Sequence, residues 1–167
     1  MKRFLICTIL LFTALVSFAG KGKYVVIDGN KAILHEKTNA QLIIDYSGAM
    51  WEGKPYESFC GDDFLERTEK AYKTFIAEFN KTSKGLLLTQ NNGAKYKMSI
   101  KVTKFLRKVR SFYRGEVMIW CTIQITDNAT GKRLLSIDVS RSGGESDYSY
   151  SDGIYKCFAA LAERINK

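Results

Sequence analysis

From Lys95 to Val102 the chain alternates between polar and apolar residues. Tyr96, Met98, Ile100 and Val102 fall on one side, and Lys95, Lys97, Ser99, Lys101 and Thr103 on the other. A period of two over this length predicts a strand with one covered and one solvated face. A second such run covers Val117–Thr126. Val117, Ile119, Cys121, Ile123 and Ile125 line one face, while Met118, Trp120, Thr122, Gln124 and Thr126 line the other, so this strand is expected to be central and well covered. The phrase "DNATGK" then turns the chain, with Asp127 and Asn128 suited to satisfying turn amides and Gly131 to a positive φ. Arg133–Ser140 is expected to return antiparallel. Shorter strands are predicted at Tyr24–Ile27, Gln41–Tyr46 and Leu86–Thr89. Ala32–His35 fits neither period. "GAMWEGKPY", with the chain's one proline, Pro55, reads as a loop.

Helical spacing appears twice. In "FLERTEKAYKTFIAEFN", Phe64, Leu65, Tyr72, Phe75, Ile76 and Phe79 predict an amphipathic helix of about 17 residues. Asp63 with Glu66 fits a capping box, and Asp62 is a second candidate cap. Near the C-terminus, Tyr150, Ile154, Cys157, Phe158, Leu161 and Ile165 form another stripe, with Ser149 and Asp152 as the box and "RSGGESD" as the loop before it. Together these elements predict an α+β two-layer sandwich: a mainly antiparallel sheet with two helices packed on one face and the other face at least partly wet.

The N-terminus departs from both periods. Lys2 and Arg3 precede an apolar run from Phe4 to Val16, and Ser17-Phe18-Ala19 supplies a small-x-small site. This is the three-part pattern of a secretory signal peptide over residues 1–19, and the run is shorter than the roughly 20 residues a membrane span needs. Cys7 has no small-residue box before it, so lipidation there is not expected. Residues 20–167 are then expected to form one domain, exported to the periplasm or outer envelope or secreted. No later apolar run is long enough to cross a membrane. Cys60, Cys121 and Cys157 remain. An odd number allows at most one internal disulfide, and Cys121 and Cys157 suit the role of small buried hydrophobes.

The formal net charge is +9, and loss of residues 1–19 removes two basic residues. Eight of the remainder lie in "KYKMSIKVTKFLRKVRSFYR": Lys95, Lys97, Lys101, Lys104, Arg107, Lys108, Arg110 and Arg114. The rest of the mature chain is close to neutral, so the excess charge is one local feature. Lys95, Lys97 and Lys101 would share the exposed face of a strand, with the other five in a following turn or bulge. Such residues solvate a sheet face and protect an edge from aggregation, or they form an electrostatic docking patch. In an exported protein the matching partners are an envelope protein or an anionic envelope polymer or lipid surface. No finger, RNA-binding aromatic motif or recognition helix points to nucleic acid. Trp51 and Tyr56 are candidate apolar contacts beside the patch.

No catalytic constellation emerges. His35 is the single histidine, no two cysteines lie within thirty residues, and no cofactor or metal motif is present. Cys60, in the loop before a helix, has only His35 as a candidate imidazole partner. Asp62, Asp63, Glu66 and Glu69 read as first-turn and solvated-face acids. "RSGGES" lacks the lysine and further glycines of a P-loop.

The element order, with Asp127-Asn128-Ala129-Thr130-Gly131-Lys132 ending one strand and opening the next, resembles small bacterial envelope domains over roughly Gln41 to Ile165. These are the curli-secretion lipoprotein, the lipoprotein activator of penicillin-binding proteins and the amino-terminal domain of TolB. The resemblance implies a non-enzymatic binding or assembly module of the cell envelope, although this chain lacks a lipidation cysteine at its cleavage site. The alternatives are a small extracytoplasmic enzyme such as an envelope hydrolase, which needs His35 and Cys60 in one cleft, and a lipid or small-ligand carrier, which needs an apolar cavity between helices and sheet.

Overall fold

The computed structural model describes residues 22–167 except 112, 113 and 147–149. The side chains of 109–111, 114, 145, 146 and 150–152 also lie outside the description. The expected signal segment, Cys7 and the Ser149–Asp152 capping box therefore fall outside the described residues. Among those described, no helix is long and apolar enough to cross a membrane.

The described residues contain eight strands in one open sheet: β1 (Lys23–Gly29), β2 (Asn39–Asp45), β3 (Met50–Trp51), β4 (Lys54–Pro55), β5 (Leu87–Thr89), β6 (Tyr96–Ser111), β7 (Arg114–Asp127) and β8 (Arg133–Ser146). The order is β1-β8-β7-β6-β2-β5, with the small β3–β4 hairpin beside the far half of β6. β6, β7, β8 and β1 form an antiparallel meander. β2 is parallel to both β6 and β5, which requires a crossover between them. That crossover holds α1 (Tyr56–Cys60) and α2 (Phe64–Thr82), and α3 (Tyr150–Ile165) closes the chain. The α+β sandwich is as expected, with the two long helices sealing one face.

The buried stripes follow the sequence periods. Met98, Ile100, Val102, Ile119, Cys121, Ile123, Ile125, Ile137 and Val139 are buried on the sheet, and Phe75, Phe79, Ile154, Cys157, Phe158 and Leu161 are buried on the helices. Leu65 departs from this pattern. It stands 77% exposed at the start of α2.

Two expectations at helix starts and loops are corrected. Asp63 already has helical backbone angles, because a 3-10 turn over Gly61–Asp63 runs on from α1, and its side chain makes no capping bond. Its carboxylate bonds Arg67 one turn along, at 2.8 Å. "GAMWEGKPY" contains the β3–β4 hairpin, where Glu52 (φ 47) and Gly53 (φ 88) give the two positive φ values of a tight two-residue turn. The ambiguous Ala32–His35 segment lies in a 3-10 helix, Lys31–His35, capped by the Asn30 side chain.

The β7–β8 turn forms as its sequence requires. Asp127 Oδ1 accepts from the Ala129 amide (3.0 Å), the Thr130 amide (2.8 Å) and the Thr130 hydroxyl (2.9 Å), and Gly131 takes φ 69. The Thr130 amide and hydroxyl, aided by Ala129, hold this carboxyl below its usual range. A depressed folded value means that the stabilisation is complete above the unfolded pKa and disappears as pH falls through the folded one. Thermal melting followed by circular dichroism should therefore fall on acidification below about pH 4. Asp127→Ala should lower the melting point at neutral pH and flatten that acid limb.

Candidate docking face

The strict alternation of β6 stops at Val102 because the strand bulges there. Val102 pairs with Cys121 and Lys104 with Trp120, which leaves Thr103 as the extra residue. A bulge shifts the side-chain parity of everything beyond it. Phe105, which would otherwise face solvent, turns inward and is buried, and Lys104 turns outward. Thr103 bonds the Trp120 carbonyl across the bulge, at 3.1 Å.

Five basic residues were expected in a turn beyond Val102, but Lys104, Arg107, Lys108 and Arg110 lie within β6, which runs on to Ser111, and Arg114 opens β7. The bulge brings Lys97, Lys101, Lys104 and Lys108 onto the helix-free face, opposite Thr126, Thr122, Trp120 and Glu116 of β7. At about 3.4 Å per residue this row is about 35 Å long. Lys95 is drawn off at its start: its ammonium lies 3.5 Å from Glu36 and 4.6 Å from the Tyr96 ring centroid. Arg107 pairs with buried Val117, so it belongs to the helix-side face, where its amide bonds Glu52. The side chains of Arg110 and Arg114 lie outside the described residues.

The aromatic group on this face is Trp120, half-buried, with the Lys104 ammonium 5.3 Å from its ring centroid. β8 also bulges opposite Trp120: Ile119 pairs with Ser142 and Cys121 with Val139, and Arg141 takes φ 63. Both neighbouring strands thus bend at one tryptophan, which carries Met118 and Leu106 just beyond it on the same face. Asp45, Glu116 and Asp138 are acids of this face. Asp138 accepts from Thr122 and Asp45 from the Ser47 amide; the Ser47 hydroxyl, and after it this amide, holds Asp45 below the usual carboxylate range.

Trp51 and Tyr56, the expected apolar contacts, are core residues at 2% and 1% exposure. Trp51 stacks on Phe59 at 4.4 Å, and Tyr56 meets Phe105 at 4.6 Å. The inward turn of Phe105 after the bulge creates the pocket that draws both rings inside.

His35 and Cys60 are not brought together. The Leu86 amide bonds the Leu34 carbonyl, which places His35 beyond the end of α2, whereas Cys60 precedes its start. Nineteen helical residues, about 28 Å, separate those ends. Among the described residues, Cys60, Cys121 and Cys157 are free and buried, and burial raises each thiol pKa. Among the described residues no three His, Cys, Asp or Glu side chains gather as a metal site. The helix–sheet interior expected of a carrier is occupied by Phe75, Phe79, Phe105 and Phe158, all fully buried.

No protein-family model matches the chain, and no curated protein matches its sequence. Solved structures do match. The PelC dodecamer from Paraburkholderia phytofirmans aligns at 14% identity with a TM-score of 0.51, covering 86% of this chain and 94% of that one. A point variant of the same dodecamer aligns at 15% identity and TM-score 0.50, covering 87% and 97%. This chain shares that fold.

Proposed function

We propose that this protein is an exported, non-catalytic assembly module of the cell envelope. In this reading it multimerises in the periplasm or at the outer envelope and presents its helix-free sheet face to an anionic partner. One observation carries the proposal: the bulge at Thr103 places Lys97, Lys101, Lys104 and Lys108 in one row beside a half-exposed tryptophan. The signal-like N-terminus supports export. The PelC likeness supports assembly, because that protein was solved as a dodecamer.

The recognised chemistry is a dense array of carboxylates or phosphates. Exposed pairs contribute about 0.2–1 kcal/mol each, so four lysines together supply roughly fourfold to several-hundredfold in affinity. The test is capture from a detergent-solubilised envelope extract over a range of salt. Protein with all four lysines changed to Gln should lose the partner, and native capture should weaken as salt rises. A Lys95→Gln, Arg107→Gln variant should capture like the native protein, since neither residue belongs to the row. Equal capture by the native protein and the fourfold variant would overturn the docking assignment. Vesicles of anionic and of neutral lipid, run alongside, separate a lipid surface from a protein or polymer partner.

A further inference from the structure

Among the described residues, the large apolar side chains exposed by 40% or more are Val25, Val26, Ile27, Ile43, Leu65 and Leu87. Their positions are not scattered. Val25, Val26 and Ile27 lie on β1, one edge of the sheet. Ile43 and Leu87 lie on β2 and β5 at the opposite edge, and Leu65 opens α2 beside them. An unpaired edge with apolar side chains is a ready template for another strand.

The far edge lacks a strand partner over part of its length, where the Tyr72 hydroxyl donates to the Leu42 carbonyl at 3.2 Å. β5 covers only Asn39–Gln41 of β2, so no strand flanks Leu42–Asp45 on that side. Next to this segment lies a groove of about 380 Å³, lined by Ile44, Tyr46, Leu65, Thr68, Glu69 and Tyr72. Strand directions also agree. β6 is parallel to β2, and the meander reverses at β7, β8 and β1, so β1 runs opposite to β2. A second copy set beside the first in the same orientation would bring its β1 antiparallel to β2.

We infer that two copies of this chain join head to tail, β1 of one copy adding to Leu42–Asp45 of the next. The inference rests on the assembly reading above and specifies its surface. One register satisfies both faces. On the helix-free face, Val25 (opposite Asp138 within its own sheet) meets Ile43 (opposite Ser99). Two residues along, the same register sets Lys23 against Asp45. Lys23 has no ion-pair partner among the described residues, and one Asp45 oxygen bonds the Ser47 amide. On the helix side, Tyr24 and Val26 approach Ile44, Leu42 and the Leu65 groove. Because the two surfaces differ, the contact is heterologous, and repeating it builds a closed ring or an open filament. The lysine row remains uncovered in the middle of each sheet.

The test is sedimentation of the exported protein with Val25→Lys and Ile43→Lys, both at exposed positions and both checked for native melting. Wild type should sediment as an assembly and each variant as a monomer. Mixing the two variants should give a 1:1 dimer, because one intact β1 still faces one intact β2. Lys23→Asp and Asp45→Lys should each weaken assembly, and the double exchange should restore it. If both apolar variants assemble like wild type, the edge contact is overturned while the assembly reading survives. A monomeric Val25→Lys with a normally assembling Ile43→Lys would overturn the head-to-tail contact in favour of β1 pairing with itself. A monomeric wild type overturns both the contact and the multimeric part of the reading.

Discussion

Phe158→Ala should cost about 3–5 kcal/mol of stability, a large part of the 5–15 kcal/mol a domain of this size commands. Phe158 is fully buried on α3 and meets rings from each layer it joins. Its centroid lies 6.2 Å from Tyr46, 6.4 Å from Phe75 on α2 and 6.5 Å from Phe105 on β6. The substitution leaves a cavity where three elements converge, none of which can close it alone. Urea unfolding should show a much lower midpoint with an unchanged slope. Leu65→Ala is the matched control: that side chain is 77% exposed, and its loss should change stability by no more than about 0.5 kcal/mol.

Phe158 also shows how far the fold was legible in the sequence. The stripe containing it has helical spacing, the strands of β6 and β7 have a period of two, and these periods determine which residues face inward. The edges and the connections are less legible. Pairing β2 parallel to β6 depends on a crossover through α2 that local periodicity does not encode. The "RSGGESD" segment read as a loop because glycine and serine are common turn residues, yet β8 continues through it to Ser146. Its hydrogen bonds come from β7, a long-range partner invisible in a local window.

The candidate face was legible only in composition. Eight basic residues in one stretch were evident, but their division between two faces was not. A signal was present: after Tyr96, Met98, Ile100 and Val102, the next large apolar residue is Phe105, three positions on instead of two. That offset marks the bulge and carries Lys104 and Lys108 across to join Lys97 and Lys101. Trp51 and Tyr56 misled for a related reason. Their loop sequence says nothing of the β3 contact with β6 that draws Trp51 beside Phe105.

The adjacent glycines of β8 should separate sharply on substitution. Gly143→Ala should be nearly neutral, because the added methyl meets only the flexible end of Glu116, which can move aside. At Gly144 the added methyl would collide with the Cys157 amide and the Lys156 carbonyl carbon, both backbone atoms of α3. The helix must then lift from the sheet. Gly144→Ala should cost about 3 kcal/mol, at the upper end of overpacking effects, and Gly144→Val more. The displacement also pulls the Cys157 thiol from the Val117 carbonyl it bonds at 2.6 Å. Denaturant titration of both variants measures the stability difference, and a thiol reagent reports the displacement. Cys157 should be unreactive in the native protein and in Gly143→Ala, and should become reactive in Gly144→Ala. Equal and small losses at the two glycines would mean that α3 does not rest on β8 at this point. The close approach explains why a glycine is needed here, with no anion required: at Gly144 the strand comes so near the helix backbone that no side chain fits between them.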